Sequence, residues 1–319
     1  MTSTNSVDFS VRQNKAIERA ITFEGLKALN EFVSIKDFIY VGLGSVWFID
    51  FDMAHRELGI SILISVEADE IVYKRAVFNK PYRTVEVHYG YSHDILPALL
   101  ADRPDLTSHP WIVWLDYDQV IDETKLDELD YLIINLPANS VLLVTFRASP
   151  DRYARAPKDR PDRIGELFGD AAPQDIFNSA DGYDDERIMM KGLAAATLKH
   201  FTARALQGAR PGGFVPLFNL QYEDSVPMVT VGGMLPAVAI AEDIRNLASQ
   251  PEWPGICELP IITPPLTPKE VTAIKTLLPG DPHPGRAEVQ SLNFDLLEDQ
   301  IACFVQYYLK YPSFVQTAR

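Results

Sequence analysis

The amino-acid sequence predicts an α/β fold, with a doubly wound, mostly parallel sheet, a C-terminal antiparallel hairpin and helical extensions. Five short apolar runs recur through residue 146, and helical patterns lie between them. The runs lack polar–apolar alternation, which is typical of strands that helices cover on both faces. Two later strand patterns flank the polar turn Glu223-Asp224-Ser225, which predicts the hairpin.

The strands are predicted where apolar residues follow one another and turn residues bound them. In chain order they cover residues 37–42, 61–67, 84–89, 111–115, 140–146, 214–222 and 228–232. A parallel sheet of five strands that a late hairpin completes has its candidate site where the carboxyl ends of the strands meet.

The helices are predicted from apolar residues at helical spacing. They cover residues 11–33 (one or two helices, with Gly25 as a possible break), 45–58, 69–77, a short stretch from Leu96, 125–135, 164–169, 173–179, 184–207, 268–277 and 295–310. Gly59 suits the C-cap of the helix that opens at about Ser45.

The chain divides into three parts that differ in their predicted structure. Residues 1–34 are predicted to form an N-terminal helical extension, 35–235 the α/β domain with an insertion at 147–213, and 236–319 a C-terminal helical appendage. Residues 147–163 hold six basic residues, three acidic residues and three prolines. We expect this arginine-rich segment to lack regular structure and to be mobile, as a lid or a contact for an anionic partner.

Composition limits the classes of function. The 319 residues carry a formal charge of −15, which disfavours non-specific binding to nucleic acid. Two cysteines, Cys257 and Cys303, provide neither a disulfide framework nor a zinc motif. The N-terminus is polar and the apolar stretch 226–241 is too short and broken to span a membrane, so the sequence predicts a cytoplasmic protein.

The most informative motif is the turn after the first strand. Gly42, Gly44 and Ser45 end this strand, and Glu67 ends the next one. Glycines let a ligand approach the backbone, and a carboxylate at the second strand end can bind ribose hydroxyls, so the layout predicts a nucleotide-type cofactor site. A dinucleotide fingerprint would have a third glycine near Trp47, and an ordinary turn with positive φ at glycine remains the alternative.

Polar residues also follow the third and fourth strands. Asp116 and Tyr117 end the fourth strand and are the predicted catalytic residues, with Asp116 orienting a nucleophile, removing its proton or holding the cofactor's amino group. For Asp118, a turn that leads into the next helix is as good an explanation as a functional role. Ser92, in the turn after the third strand, is a predicted cofactor contact, and His93 is a weaker candidate for a general base.

The first helix after the glycines carries Asp50, Asp52, His55 and Arg56. A histidine with a neighbouring carboxylate could bind a metal, but no second histidine lies nearby, so no metal site is predicted. A solvated helix face with local ion pairs explains these residues better.

The glycine turn, Glu67, Asp116 and the closing hairpin together resemble the class I S-adenosylmethionine-dependent methyltransferase superfamily, over residues 35–235. Several short segments are also similar to an uncharacterised bacterial group labelled as O-methyltransferases: Tyr40-Val41-Gly42-Leu43-Gly44-Ser45, Phe48-Ile49-Asp50-Phe51, Ile64-Ser65-Val66-Glu67, Phe78-Asn79-Lys80-Pro81, Trp114-Leu115-Asp116-Tyr117-Asp118 and Tyr311-Pro312. Tyr40 and Val46 depart from the superfamily's first motif, which has an acidic residue and a glycine there.

The resemblance implies a Rossmann-like enzyme that transfers a methyl group from S-adenosylmethionine to an oxygen or nitrogen nucleophile. It implies that Gly42, Gly44, Ser45, Glu67, Ser92 and Asp116 bind the cofactor. The acceptor would be a small molecule or a protein. The alternative is a non-catalytic Rossmann-like subunit that acts as partner or ligand sensor in a bacterial multiprotein system, such as one of defence, because a fold does not fix an activity.

Overall fold

The computed structural model describes residues 12–44, 46–172 and 183–312. Their centre is a seven-stranded sheet with the order β3-β2-β1-β4-β5-β7-β6. The strands are β1 (Ile39–Leu43), β2 (Ile62–Glu67), β3 (Val85–Tyr89), β4 (Trp111–Asp116), β5 (Ser140–Arg147), β6 (Val215–Glu223) and β7 (Pro227–Leu235). β1 to β5 are parallel, and β7 is antiparallel to both β5 and β6. The predicted fold class, a Rossmann-like sheet with a late hairpin, is confirmed.

Helices cover both faces of this sheet. They are α1 (Gln13–Ala28), α2 (Ile49–Leu58), α3 (Glu70–Asn79), α4 (Ser92–Asp102), α5 (Pro104–Thr107), α6 (Glu123–Asn135), α7 (Pro150–Tyr153), α8 (Arg160–Phe168), α9 (Glu186–Gln207), α10 (Ala241–Ala248), α11 (Pro268–Lys275), α12 (Arg286–Gln290) and α13 (Glu298–Tyr307). The short helices α5, α7, α10 and α12 were not predicted. The helix predicted at 173–179 lies outside the described residues. None of the helices in the described ranges has the length and apolar character needed to cross a bilayer.

Three predicted helix starts were wrong by four residues, and one of them is that of α8, which was predicted at 164–169 and begins at Arg160. α2 begins at Ile49, not near Ser45, because the chain first passes through Phe48 in a left-handed conformation with φ of 50°. α4 begins at Ser92, so Pro97 lies inside the helix and does not open it. The C-cap prediction is confirmed, since Gly59 ends α2 with φ of 73°.

The N-terminal helix α1 is a buried element of the structure. Ile17 and Ile21 pack with Leu220 and Tyr222 of β6 and with apolar residues of the C-terminal region. Gly25 does not break α1, as the helix continues past it, and a Cβ atom there would lie 2.7 Å from the Phe218 ring. The predicted division into three parts stays a prediction, but α1 joins the sheet to the C-terminal region.

The expectation that the arginine-rich segment lacks regular structure was wrong. Pro150 and Pro161 occupy the first turns of α7 and α8, where a missing N–H costs nothing. Arg160 is buried, and its guanidinium donates hydrogen bonds to the carbonyl of Ala154 at 3.0 Å and to that of Tyr183 at 2.6 Å. The prolines of the arginine-rich segment therefore start helices that pack into the core.

The burial of Arg160 leads to a stability prediction. Arg160→Met should lower the free energy of unfolding by about 2–4 kcal/mol, because two partly buried carbonyl groups lose a charged donor. Arg163→Met is the matched control in the same helix: Arg163 forms a surface ion pair with Glu123 at 2.6 Å, and its loss should cost at most about 1 kcal/mol. Urea denaturation measures both, and equal effects would contradict the structural role of Arg160.

Candidate functional site

The register of the parallel strands brings the predicted site residues to one edge of the sheet. Gly42 pairs with Ser65 on β2 and with Trp114 on β4. Glu67 and Asp116 each follow two residues later on their strands, so they flank the glycine turn. β1 and β4 are also where the strand order reverses direction. In open α/β sheets a ligand crevice forms at this point, outside the carboxyl ends of the strands.

The glycine turn is shaped by close contacts. A Cβ atom on Gly44 would lie 2.8 Å from the Cβ of Glu67 and 3.0 Å from the carbonyl oxygen of Val66. Neither Gly42 nor Gly44 is among the glycines with positive φ, so the ordinary turn considered from the sequence does not explain them. The left-handed residue is Phe48, and Ser45 lies outside the described residues. Gly44 is therefore needed so that the turn can lie against Glu67.

Glu67 is held in a defined position at the end of β2. Its Oε1 accepts a hydrogen bond from the N–H of Asp69 at 2.9 Å. Burial raises the pKa of Glu67, although the N–H groups of Asp69 and Ala68 favour its charged form. Asp69 itself caps α3 by accepting from the N–H groups of Ile71 and Val72. Glu67 is thus the carboxylate that faces the turn, and Asp69 serves the helix.

Tyr40, which stands where the first motif has an acidic residue, is bonded to a carboxylate from elsewhere. Its hydroxyl donates to Oδ2 of Asp50 at 2.6 Å, and this oxygen would lie 3.2 Å from a Cβ atom on Gly42. Burial raises the pKa of Asp50, and the positive charge of Arg19 on α1 opposes this rise. The pair places an acidic group beside the first glycine. The sequence interpretation had put Asp50 on a solvated face, which was wrong.

The remaining polar residues of α2 form local contacts. Asp52 pairs with Arg56 one turn later at 3.1 Å and accepts a hydrogen bond from the hydroxyl of Tyr82. His55 Nδ1 lies 2.8 Å from the carbonyl oxygen of Ile60. The predicted local ion pair is therefore confirmed for Asp52 and Arg56. Among the residues that the structure describes, no group of three possible metal ligands occurs.

Asp116 ends β4 and forms an ion pair with a lysine from α1. Lys15 Nζ lies 2.9 Å from Oδ2 of Asp116 and 3.3 Å from Oε2 of Glu18. The side chain of Asp116 is 37% exposed, whereas those of Lys15 and Glu18 are 4% and 0% exposed. Burial disfavours the charge of Lys15, but the carboxylates of Asp116 and Glu18 outweigh it and hold the pKa of Lys15 above its usual range. Asp116 is thus the solvent-facing end of a buried charge cluster.

Tyr117 is not part of this charge cluster and forms a hydrogen bond with a residue of α6. Its hydroxyl donates to Oε2 of Glu128 on α6 at 2.8 Å, and Glu128 is buried. Burial and the neighbouring Glu128 carboxylate raise the pKa of Tyr117 well above its usual range, while Ser92 opposes this. Ser92 is itself buried at the start of α4. Tyr117, Glu128 and Ser92 therefore support one another, and the catalytic role of Tyr117 and the cofactor role of Ser92 stay predictions.

His93 and Asp118 lie at the surface. The ring of His93 stacks on Tyr91 with centroids 5.3 Å apart, and its Nε2 is 3.7 Å from Oδ2 of Asp94. Asp118 is exposed. Asp116, in contrast, is ion-paired with the buried Lys15, and its catalytic role, like that of His93, stays a prediction.

Sequence reasoning missed the polar residues that α1 contributes. Lys15, Glu18 and Arg19 are buried over the sheet, although α1 was predicted only as a packing helix. The signal was present: these residues stand at i, i+3 and i+4, which places them on one face of a helix. A charged stripe on a predicted helix normally indicates a solvated face, so only the packing distinguishes the two cases.

Several solved structures show similar chains at low identity. Trm1 from Pyrococcus horikoshii, in complex with S-adenosyl-L-methionine, is 13% identical over 72% of this chain, with a TM-score of 0.41. The chain covers 57% of that Trm1 chain, so it spans less than two thirds of it. An O-methyltransferase from Bacillus cereus is 13% identical over 71% of this chain and 94% of its own, with a TM-score of 0.36. A DUF574 family protein from Streptomyces avermitilis is 14% identical over 69% of this chain and 83% of its own, with a TM-score of 0.37.

No curated protein matches the sequence. A protein-family model, in contrast, matches residues 7–319, which is nearly the whole chain. This match includes α1 and the C-terminal region as well as the sheet, so it covers every element described above. The chain therefore belongs to the family described as "Putative O-methyltransferase".

Proposed function

We propose that this protein is an S-adenosylmethionine-dependent methyltransferase that acts on an oxygen or nitrogen nucleophile of a small molecule or a protein. The observation that carries the proposal is the contact between Gly44 and Glu67 at the carboxyl edge of β1 and β2. A Cβ atom at Gly44 would displace the carboxylate, so the turn and Glu67 are fitted to each other. Such a fit is expected where a carboxylate must meet the ribose of a nucleoside ligand.

The residues present fit this cofactor along its length. Glu67 would accept hydrogen bonds from the ribose hydroxyls, and the backbone at Gly42 and Gly44 would lie beside the ligand. Asp50 lies beside the first glycine, and the positive charge of Arg19 acts on its carboxyl group. This pair would complement the zwitterionic amino-acid end of S-adenosylmethionine. The predicted roles of Ser45 and Ser92 belong to the same proposal.

The chain's own part in the reaction is to place the acceptor and take its proton. S-adenosylmethionine, when bound, supplies the methyl group on a sulfonium whose sulfur keeps the electron pair of the broken bond. Asp116 has a partly exposed carboxylate at the carboxyl end of β4, and it would accept the proton of the acceptor's hydroxyl or amine group. The other side chains align the two reactants, since proximity supplies much of the rate in such transfers.

The proposal is tested first by binding and then by turnover. Calorimetry should show that the wild-type chain binds S-adenosylmethionine and its demethylated product, but not NAD, for which no third glycine is present. Radiolabelled donor with a cell extract as the acceptor pool should then label a product. A wild-type chain without donor affinity would contradict the proposal. Binding without turnover would favour the non-catalytic sensor or partner subunit.

A further inference from the structure

The buried face of α1 carries a stripe of polar side chains. Lys15, Glu18, Arg19 and Thr22 stand at i, i+3, i+4 and i+7, and all four are buried. Taking charges out of water costs several kcal/mol per ion, and apolar replacements are often neutral or stabilising. The stripe is therefore a poor way to hold a helix in place, and it calls for another explanation.

The first turn of α1 is anchored without the side chain of Lys15. Asp224, in the β6–β7 turn, accepts hydrogen bonds from the backbone N–H groups of Asn14 at 3.0 Å and Lys15 at 3.1 Å. The side chain of Asn14 donates to the carbonyl of Glu223 at 2.6 Å and accepts from the hydroxyl of Thr263 at 2.6 Å. These contacts fix the backbone at position 15, which limits the positions that the Lys15 ammonium group can take.

The Lys15 ammonium group is buried beside the end of β4. The Lys15 ammonium contacts the carboxylates of Asp116 and Glu18 and lies 4.9 Å from the centroid of the Trp114 ring and 5.3 Å from that of Tyr222. Both rings attract a cation at these distances. Glu18 is fully buried, so Asp116 is the member of the ion-paired trio that reaches solvent.

We propose that Lys15 is a positioning residue for methyl transfer, an inference that rests on the proposed function. Its ammonium lies 2.9 Å from Oδ2 of Asp116 in an ion pair, which holds the carboxylate in a defined position. The other oxygen, Oδ1, then accepts the acceptor's proton, and the partly exposed carboxyl group releases that proton to solvent. The acceptor keeps the electron pair of the broken O–H or N–H bond.

Four variants test this role. Lys15→Met removes the charge and keeps the apolar stem, and Lys15→Arg keeps the charge. Lys27→Met is the matched control, since Lys27 is an exposed lysine on the same helix. The double variant Lys15→Met/Glu18→Gln removes both buried charges together, in case Lys15→Met alone does not fold. Calorimetry with S-adenosylmethionine, circular dichroism and steady-state turnover are measured for each, with phenol and n-butylamine as acceptors.

We expect Lys15→Met to keep donor affinity within about twofold and to lower kcat by about 10- to 100-fold, because a misplaced catalytic group costs this much. Lys15→Arg should recover part of the rate. The carboxyl ¹³C resonance of Asp116, assigned by its loss in Asp116→Asn, should move in Lys15→Met and not in Lys27→Met.

The results distinguish a failure of the proposed function from a failure of the role of Lys15. A wild-type chain that does not bind S-adenosylmethionine contradicts the proposed function itself. Normal donor binding together with an unmoved Asp116 resonance, or with an unchanged kcat in Lys15→Met, overturns only the role of Lys15. An equal loss of rate in Lys27→Met overturns it as well, because any change of charge on α1 would then suffice. A rate loss explained entirely by weaker donor binding has the same consequence.

Discussion

Asp116→Asn should lower turnover by about 100- to 10,000-fold while donor affinity stays near the wild-type value, because general-base help is worth this much. The substitution keeps the shape of the side chain and removes its ability to take a proton. The buried ammonium of Lys15 keeps Glu18 as a counter-charge at 3.3 Å, so the fold should survive. The measurement is transfer of radiolabel from S-adenosylmethionine, with calorimetry of the donor on the same samples.

Asp118→Asn is the matched control for this substitution. Asp118→Asn also replaces an aspartate by an asparagine, two residues further along the chain. Asp118 is exposed and lies beyond the end of β4. We expect wild-type turnover in Asp118→Asn. Equal turnover in Asp116→Asn and the wild type would remove Asp116 from the mechanism. Lost donor binding in Asp116→Asn would instead show that Asp116 belongs to the cofactor contacts.

The second large effect is expected at Glu67. Glu67→Ala should weaken binding of S-adenosylmethionine by about 10- to 100-fold, because losing a charged hydrogen-bond partner costs about 1.5–3 kcal/mol. Gly44→Ala should weaken it as well, since the added Cβ atom would lie 2.8 Å from the Cβ of Glu67 and push the carboxylate away. Both affinities are measured by calorimetry on variants whose circular dichroism matches the wild type.

Gly165→Ala is the control for Gly44→Ala. Gly165 lies inside α8 with open space around its Cα atom, so the added methyl group meets nothing within 4 Å. Its donor affinity should be unchanged, and its stability should rise by about 0.5–1 kcal/mol, as is usual for alanine in a helix. Unchanged affinity in a folded Glu67→Ala variant would place the ribose elsewhere and contradict the proposed cofactor site.

The titration of Glu67 gives the same prediction a pH dependence. Only the ionised carboxylate accepts both ribose hydroxyls, and burial raises the pKa of Glu67 above its usual range. Donor affinity should therefore be full above this raised pKa and fall as the pH is lowered through it. The fall should begin at a higher pH than for an exposed glutamate.

The sequence by itself determined the sheet and its carboxyl edge. The strand predicted at 111–115 became β4, because a continuous apolar run can only be buried when helices cover both faces. Residues that follow such runs must emerge at the edge, so the positions of Gly44, Glu67 and Asp116 could be derived without any structure. Their roles as ligands remain predictions, since position alone does not fix chemistry.

Only the tertiary structure decided what lies against that edge. Lys15 meets Asp116, and Asp50 meets Tyr40, through contacts that no local pattern encodes. A charged residue on a helix costs least in water, so sequence patterns assign it to solvent by default. The prolines of 147–163 were misjudged for a related reason, because proline stops a helix in its interior but starts one at its first turn. The apolar periodicity therefore fixed the framework, whereas the polar groups of the site were fixed by the partners that packing gave them.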